Sequence, residues 1–157
     1  MNTETKTQPA AKLVDLAKDL KITFPRSPKE SLGGYVIAAR TLDKCRAALA
    51  GTADEYHFNC GLDQMFFKFS GIQAEAFREF VATGADDVEV GAWIQEQATH
   101  QERSEVVAWN FKMRDMRMTD MPSDIQVYME DEYWPEYING HYPHFFFDIY
   151  DIEEGRI

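Results

Sequence analysis

The chain has 157 residues, a formal net charge of -11, and a composition that is 45% hydrophobic and 13% aromatic. A chain of this length buries roughly two-thirds of the surface that its unfolded form exposes, and so many aromatic residues exclude a disordered protein. The negative charge argues against nucleic acid and anionic membranes as partners, and no apolar run reaches the ~20 residues that span a bilayer.

The N-terminal residues and the cysteines bear on location. Residues 1–9 are polar and predict a flexible N-terminus that is neither a secretory signal nor a membrane anchor. Cys45 and Cys60 are too few for a disulfide framework, so we expect reduced thiols and a cytoplasmic protein. Residues 10–157 are predicted to form a single helical domain.

Apolar spacing and capping residues predict the first two helices. A short N-terminal helix is expected from the helical spacing of Leu13, Leu16, Ala17 and Leu20. Ser27, Pro28 and Glu30 then resemble the cap, the first position and the third position of a helix. We therefore predict a long helix at residues 28–50, with Gly51 as its left-handed stop. This helix is expected to be central in the bundle, because Ile37 and Cys45 lie opposite its main apolar stripe.

Glycine, proline and capping residues delimit the rest of the sequence. Further helices are predicted at residues 62–70, 73–83, 86–97 and 124–133, and Asp86 and Glu89 resemble a capping box. The spacing of Val106, Trp109, Met113 and Met116 predicts a longer helix that ends before Pro122. Trp134-Pro135, Asn139-Gly140 and Tyr142-Pro143 are turn signals, after which the aromatic tail predicts a strand or a short helix. The fold class is mainly α: a compact single-domain bundle of five to seven helices with an irregular aromatic C-terminal segment.

The helix predicted at residues 28–50 carries charges on its apolar side. On a helical wheel Asp43 and Arg46 fall within the apolar stripe, and Arg40 lies one turn before Asp43. Burying a charge costs several kcal/mol unless it is paired, so we expect Asp43 and Arg46 to be buried and bonded to each other or to residues 55–63. Two interpretations stay open, a structural ion pair or a polar pocket that opens on all three residues.

Two glycines fall inside the same predicted helix. Gly33 and Gly34 would each weaken it by about 1 kcal/mol relative to alanine, so close helix packing or the approach of a ligand would have to compensate. They do not form a phosphate-binding loop, because the GxxxxGK[ST] and GxGxxG patterns are both absent.

The loop at residues 55–63 has the densest mixture of titratable and aromatic residues. His57 is a candidate general base, and Cys60 near a helix N-terminus is a candidate activated thiol. As a catalytic pair they would need hydrogen-bond contact and an orienting third group. Tyr56 and Asn59 complete this side of the predicted pocket.

Metal ligation and a second pocket wall are the remaining candidates. His57 with Cys60, and His141 with His144, have a spacing of three, but neither pair is joined by a second pair of ligands. We predict no metal, and the cofactor is unknown. Asn110 lies on the stripe made by Val106, Trp109 and Met113 and is a candidate second wall, although an interior Asn is most often a structural bridge.

Several segments of the sequence resemble one bacterial family. They include Phe24-Pro-Arg-Ser-Pro28, Leu32-Gly-Gly-Tyr35, Leu42-Asp-Lys-Cys-Arg-Ala47, Glu55-Tyr-His57, Asn59-Cys60, Trp93 and the closing Glu153-Glu-Gly-Arg156. The chain is similar to the family of domains of unknown function numbered five-zero-six-nine. The resemblance implies no activity, cofactor or catalytic residue.

Two classes of function are consistent with the sequence. In the first, Arg40, Asp43, Arg46, Tyr56, His57, Asn59, Cys60 and Asn110 surround a small-molecule pocket, for example for an anion held by arginine. In the second, the protein is a non-catalytic interaction module or homodimer that uses its aromatic C-terminal segment.

Overall fold

The computed structural model describes residues 10–100, 102–138 and 140–157. The predicted flexible segment at residues 1–9, and Asn139 of the predicted turn, lie outside the described residues. The described chain is mainly helical, as predicted. In chain order its α-helices are α1 (Ala11–Leu16), α2 (Ala38–Ala50), α3 (Gly61–Ser70), α4 (Ala74–Ala82), α5 (Asp87–Gln97), α6 (Arg103–Arg114), α7 (Ser123–Tyr128), α8 (Trp134–Tyr137) and α9 (Phe146–Glu153).

A small antiparallel hairpin replaces the first part of the helix predicted at residues 28–50. Its strands are β1 (Ser31–Leu32) and β2 (Tyr35–Val36). Gly33 and Gly34 form the two-residue turn between them, with φ of 60° and 89°. The predicted helix start is wrong because two successive residues with positive φ cannot lie within a right-handed helix.

The hairpin turn packs directly against α5. A Cβ atom on Gly33 would lie 2.9 Å from the Gly91 carbonyl oxygen and 3.0 Å from the Ile94 Cβ. The two backbones therefore approach closely at this point. This close packing is one of the explanations that the sequence offered for the paired glycines, but it occurs in a turn and not in a helix.

The shortened helix α2 lies at the centre of the fold. Every residue from Ala38 to Ala47 is buried, and α2 contacts α1, α3, α4 and β1. Apolar residues such as Cys45, opposite the main stripe, indicated this arrangement, because a helix that is covered on every side needs apolar residues on more than one face. The prediction that this helix is central is confirmed.

Helices α3 to α6 follow the sequence predictions closely. Gly71 and Gly84 follow α3 and α4 with φ of 77° and 86°. Asp86 accepts the Glu89 N–H at 2.8 Å, which closes the predicted capping box at the start of α5. Helix α6 starts at Arg103, three residues earlier than the apolar spacing indicated.

Helical structure continues from α7 to α8 across the predicted turn. Met129–Tyr133 is π-helical, and the Trp134 N–H donates to the Met129 carbonyl. A proline inside an α-helix removes a donor and clashes with the carbonyl four residues earlier, whereas a wider π turn makes room for Pro135. The prediction that the helix ends at Tyr133 is wrong for this reason.

The aromatic tail forms helix α9, one of the two conformations that the sequence allowed. Phe147 is fully buried in the main hydrophobic core. Ile149 belongs to a second, smaller cluster with Met118, Met129 and Ile138. Helix α9 therefore joins the two apolar clusters and covers one side of α2.

Candidate functional site

A cavity of about 250 Å³ lies between α2, the loop at residues 51–60 and α9. Its walls carry mostly charged and aromatic side chains: Arg40, Lys44, Glu55, Tyr56, His57, Cys60, Tyr150, Glu153 and Glu154. Helix α2 supplies the first two residues, the loop supplies the next four, and the end of the chain supplies the rest. The cavity is therefore assembled from segments that are distant in the sequence.

Arg40 and Glu154 form a buried bidentate ion pair in the cavity wall. The Arg40 Nη1 and Nη2 atoms donate to Glu154 Oε1 and Oε2 at 2.7 and 2.9 Å, and the Tyr56 hydroxyl donates to Oε2 at 2.7 Å. Burial alone would raise the pKa of Glu154, but its bonds to Arg40 outweigh burial and lower it. Within the described chain, the Arg40 Nε has no hydrogen-bond partner.

Lys44 connects the cavity to a buried carboxylate. Its Nζ atom donates to Cys60 Sγ at 3.0 Å and lies 2.9 Å from Asp63 Oδ1. The same Asp63 oxygen accepts the Thr41 hydroxyl at 2.7 Å, and Asp63 Oδ2 accepts the Asn59 N–H at 2.8 Å. Asp63 therefore fixes the position of Lys44, and Lys44 contacts the thiol.

Tyr150 adds a protonated hydroxyl group to the same wall. The Arg40 guanidinium lies 4.8 Å from the centroid of its ring, a cation–π arrangement. Burial, and after it the nearby Cys60, raises the pKa of Tyr150, so its hydroxyl keeps the proton at neutral pH. Among the described residues this hydroxyl has no hydrogen-bond partner. It is therefore available to a ligand.

The structure brings together four of the predicted site residues. Arg40, Tyr56, His57 and Cys60 line the cavity. The Cys60 thiol is hydrogen-bonded to Lys44 and not to His57. The loop therefore contributes Tyr56, His57 and Cys60 to this cavity, and its cysteine has a different partner from the predicted one.

Asp43 and Arg46 are buried as predicted, but their predicted partners are wrong. Asp43 accepts four hydrogen bonds from Lys18 and Arg26, the shortest of which is 2.8 Å from the Arg26 N–H. Arg46 donates to Asp87 at 2.9 Å and to the Ala85 carbonyl at 3.0 Å. Arg26 also binds Asp87, so one network ties α2 to the preceding loop and to α5.

Asn59 and Asn110 also have structural positions outside the cavity wall. Asn59 adopts φ of 63° and its N–H donates to Asp63 at the start of α3. Asn110 accepts the Val36 N–H at 3.0 Å and donates to the Gly34 carbonyl at 2.8 Å. Asn110 is thus the structural bridge that the sequence offered as the alternative to a pocket wall.

Three important wall residues were not identified from the sequence. Lys44 falls outside the wheel argument, and it is buried because Asp63 neutralises it. Tyr150 and Glu154 lie in the tail, whose conformation the sequence left open. The only signal that the tail contributes charged groups was the closing segment Glu153-Glu-Gly-Arg156, with its carboxylates and its cation.

Metal ligation, membrane-spanning helices and a second cavity also bear on function. No group of three His, Cys, Asp or Glu side chains in the described segments is arranged to hold a metal ion. None of the helices described is long and apolar enough to cross a membrane. A second cavity of about 400 Å³ lies beside the π-helical turn, between Met118, Met129, Trp134 and His144.

The fold and the cavity define a mainly helical protein whose polar pocket contains a buried lysine in contact with a cysteine. The chain belongs to the DUF5069 family, described as a domain of unknown function, whose model matches residues 22–156. This confirms the family resemblance. No curated protein matches the sequence.

Proposed function

We propose that the protein binds a small neutral or cationic molecule in the cavity between α2, the loop at residues 51–60 and α9. The observation that supports this best is a cavity of about 250 Å³ whose lining includes polar groups that buried ion pairs hold in place. Cavities with a few convergent polar groups and perturbed titratable residues are the usual binding sites of proteins.

The charges of the wall determine the class of ligand. Both cations in the wall are already paired with carboxylates. Glu55 and Glu153 are exposed, and among the described residues the cavity wall has no further cation to neutralise them. The rim of the cavity is therefore acidic. An anion would have to displace a bound carboxylate and pass this rim, so the anionic ligand that the sequence suggested would bind less favourably.

A thermal-shift screen tests this proposal. We expect a neutral or cationic metabolite, for example an amine, amide or nucleoside, to raise the melting temperature of the wild-type protein. A ligand at a hundred times its dissociation constant stabilises the folded state by about 2.7 kcal/mol. Anionic compounds of the same size are expected to have no effect.

Two tryptophan variants locate the binding site. His57→Trp places a bulky side chain at the cavity wall and is expected to abolish the shift, whereas His141→Trp, exposed and outside this cavity, should preserve it. A shift that survives in His57→Trp, or a screen in which no neutral or cationic compound acts, would contradict the proposal.

The second candidate function is a non-catalytic interaction module or homodimer. It is favoured by a set of exposed apolar and aromatic side chains around α7 and α8: Val127, Tyr128, Tyr137 and Tyr142. Such residues are enriched where proteins associate. Light scattering tests it: a dimer that Tyr137→Ser converts to a monomer would favour this function, and a monomeric wild-type protein would exclude the homodimer.

We further propose a cytoplasmic location. Cys45 and Cys60 are both free thiols, which suits a reducing compartment. Fractionation of cells that express the tagged protein tests this, and recovery with secreted or membrane material would contradict it.

A further inference from the structure

We propose that Cys60 is the nucleophile of an acyl-transfer centre in which Lys44 is the acid–base group and Asp63 orients Lys44. This inference rests on the proposed function, because it names the reaction of a ligand bound in the same cavity. The substrate class that it implies is a small uncharged acyl compound, namely an ester, thioester or amide.

The geometry has the three parts that an activated nucleophile requires. A nucleophile must lie within hydrogen-bond distance of an acid–base group, and a third residue must orient that group. Cys60 Sγ lies 3.0 Å from Lys44 Nζ, and Lys44 Nζ lies 2.9 Å from Asp63 Oδ1. The Lys44 and Asp63 side chains are only 4% and 0% exposed, so water screens their interactions little.

The position of Asp63 is fixed independently of Lys44. Its carboxylate also accepts the Thr41 hydroxyl and the Asn59 N–H. These bonds satisfy it within the protein, so it can hold the lysine in one orientation.

The cavity gives a bound molecule access to the thiol. Cys60 and Lys44 line it together with Arg40 and Tyr150. The Tyr150 hydroxyl keeps its proton and adds a donor on the same wall.

The proposed reaction uses water and no other co-reactant. The Cys60 thiol loses its proton to solvent, and its thiolate, beside the Lys44 ammonium, attacks the acyl carbon. The bond to the leaving group breaks, and the leaving group takes a proton from Lys44. Water then attacks the thioester while the Lys44 amine takes its proton, which releases the carboxylic acid and restores thiolate and ammonium.

The test uses p-nitrophenyl acetate with the full-length protein. We expect a burst of p-nitrophenolate and, by intact-mass and peptide mass spectrometry, an acetyl group on Cys60. The rate should exceed that of free N-acetylcysteine at the same pH by about tenfold or more, given the 10²–10⁴-fold effect of positioned acid–base groups. Cys60→Ser should lose the burst. Acetylation no faster than that of N-acetylcysteine would overturn the proposal.

Variants of the lysine separate catalysis from folding. Lys44→Met with Asp63→Asn removes both charges together, so that neither is left buried alone, and circular dichroism verifies that the double variant folds. We expect the double variant to lose most of the rate enhancement over N-acetylcysteine. Lys68→Met, at an exposed position of α3, should keep that enhancement. A folded double variant that reacts as fast as the wild type would refute the role of Lys44.

The same variants distinguish this inference from the binding proposal. Cys60→Ser keeps the cavity but lacks the nucleophile, so a ligand found in the thermal-shift screen should stabilise it as well. A ligand that binds both proteins, combined with no acylation of the wild type, would overturn the acyl-transfer centre and leave the pocket in place. The absence of both binding and acylation would overturn both proposals.

Discussion

Asp43 and Arg40 lie one turn apart on α2, and residues from outside that helix neutralise each of them. Asp43 is bonded to Arg26 and Lys18, and Arg40 to Glu154. Replacing a buried pair by apolar groups is often neutral, whereas removing one partner leaves a charge without compensation. Single substitutions at these positions should therefore be costly.

The first prediction concerns Asp43. Asp43→Ala is expected to destabilise the protein by about 3 kcal/mol, because Arg26 and Lys18 lose their common acceptor. Urea denaturation followed by circular dichroism measures the change. Asp15→Ala, exposed on α1, should change stability by less than about 0.5 kcal/mol. Equal effects of the two substitutions would contradict the burial of Asp43.

The second prediction concerns the pH dependence that Glu154 confers. Its pKa in the folded protein lies below the ordinary value of 4.5, so its stabilisation is complete above that value and is lost as pH falls toward the folded pKa. We expect Glu154→Gln to be less stable at neutral pH and to show a shallower loss of stability below pH 4.5.

Urea titrations between neutral and acidic pH measure this slope. Glu79→Gln, exposed on α4, is the control and should keep the wild-type slope. If Glu154→Gln lost stability in acid as steeply as the wild type, the bond between Arg40 and Glu154 would not contribute the expected stabilisation.

At the scale of single residues, the sequence identified which charges are buried better than it identified the partners of those charges. The helical wheel correctly placed Asp43 and Arg46 in the interior, because the periodicity of a single helix contains that information. It contains nothing about the loops and helices that pack against that face. Lys44 was missed for a related reason, since lysine is almost always exposed unless a distant carboxylate pairs with it.

The hairpin between residues 31 and 36 gives the third prediction. Gly33→Ala is expected to destabilise by about 2 kcal/mol or more, because φ of 60° is unfavourable for alanine and its Cβ would lie 2.9 Å from the Gly91 oxygen. Thermal melts measure the loss.

Gly61 provides a matched control for this substitution. It is the first residue of α3, and an added Cβ would have no heavy atom within 4 Å. Gly61→Ala should therefore leave stability unchanged or raise it by about 0.5–1 kcal/mol. If Gly33→Ala had a melting temperature as high as that of Gly61→Ala, the turn would tolerate a side chain.

At the scale of elements, capping residues were reliable only where no other local signal opposed them. The cap at Asp86 opened a helix as predicted. Ser27 and Pro28 resembled a cap just as well, but Gly33 and Gly34 a few residues later form a hairpin turn. The paired glycines were the decisive evidence, because a two-residue turn with positive φ requires them and a helix does not.

The fourth prediction concerns the whole molecule and its C-terminal segment. Truncation after Pro122 removes Phe147 from the core and Glu154 from Arg40. We expect loss of the cooperative thermal transition, since both a hydrophobic contact and a charge partner disappear. Circular dichroism melts test this.

A substitution on the exposed side of this segment tests whether its buried residues are the ones that stabilise the fold. Tyr142→Ala removes an aromatic side chain that is 69% exposed and should leave the melting temperature nearly unchanged. A truncated protein that melts cooperatively at the wild-type temperature would show that α9 does not close the core.

For the whole molecule, the helical class and most helix positions were predictable, but the cavity was not. The loop with Tyr56, His57 and Cys60 was recognised from its composition. The opposite wall comes from α9, and nothing in local periodicity indicates which distant segment will cover a given face. The pairing of Arg40 with Glu154 depends on tertiary packing alone.

The sequence distance across the cavity has a consequence for synthesis of the protein. Arg40 and Glu154 are separated by 114 residues. A ribosome adds ~5–20 residues per second, so on the order of ten seconds pass between their translation. During that interval the nascent chain has Arg40, Lys44 and Cys60 but not the helix that covers them. The growing chain therefore has only two of the three walls of the cavity, and the cavity is completed only when α9 docks.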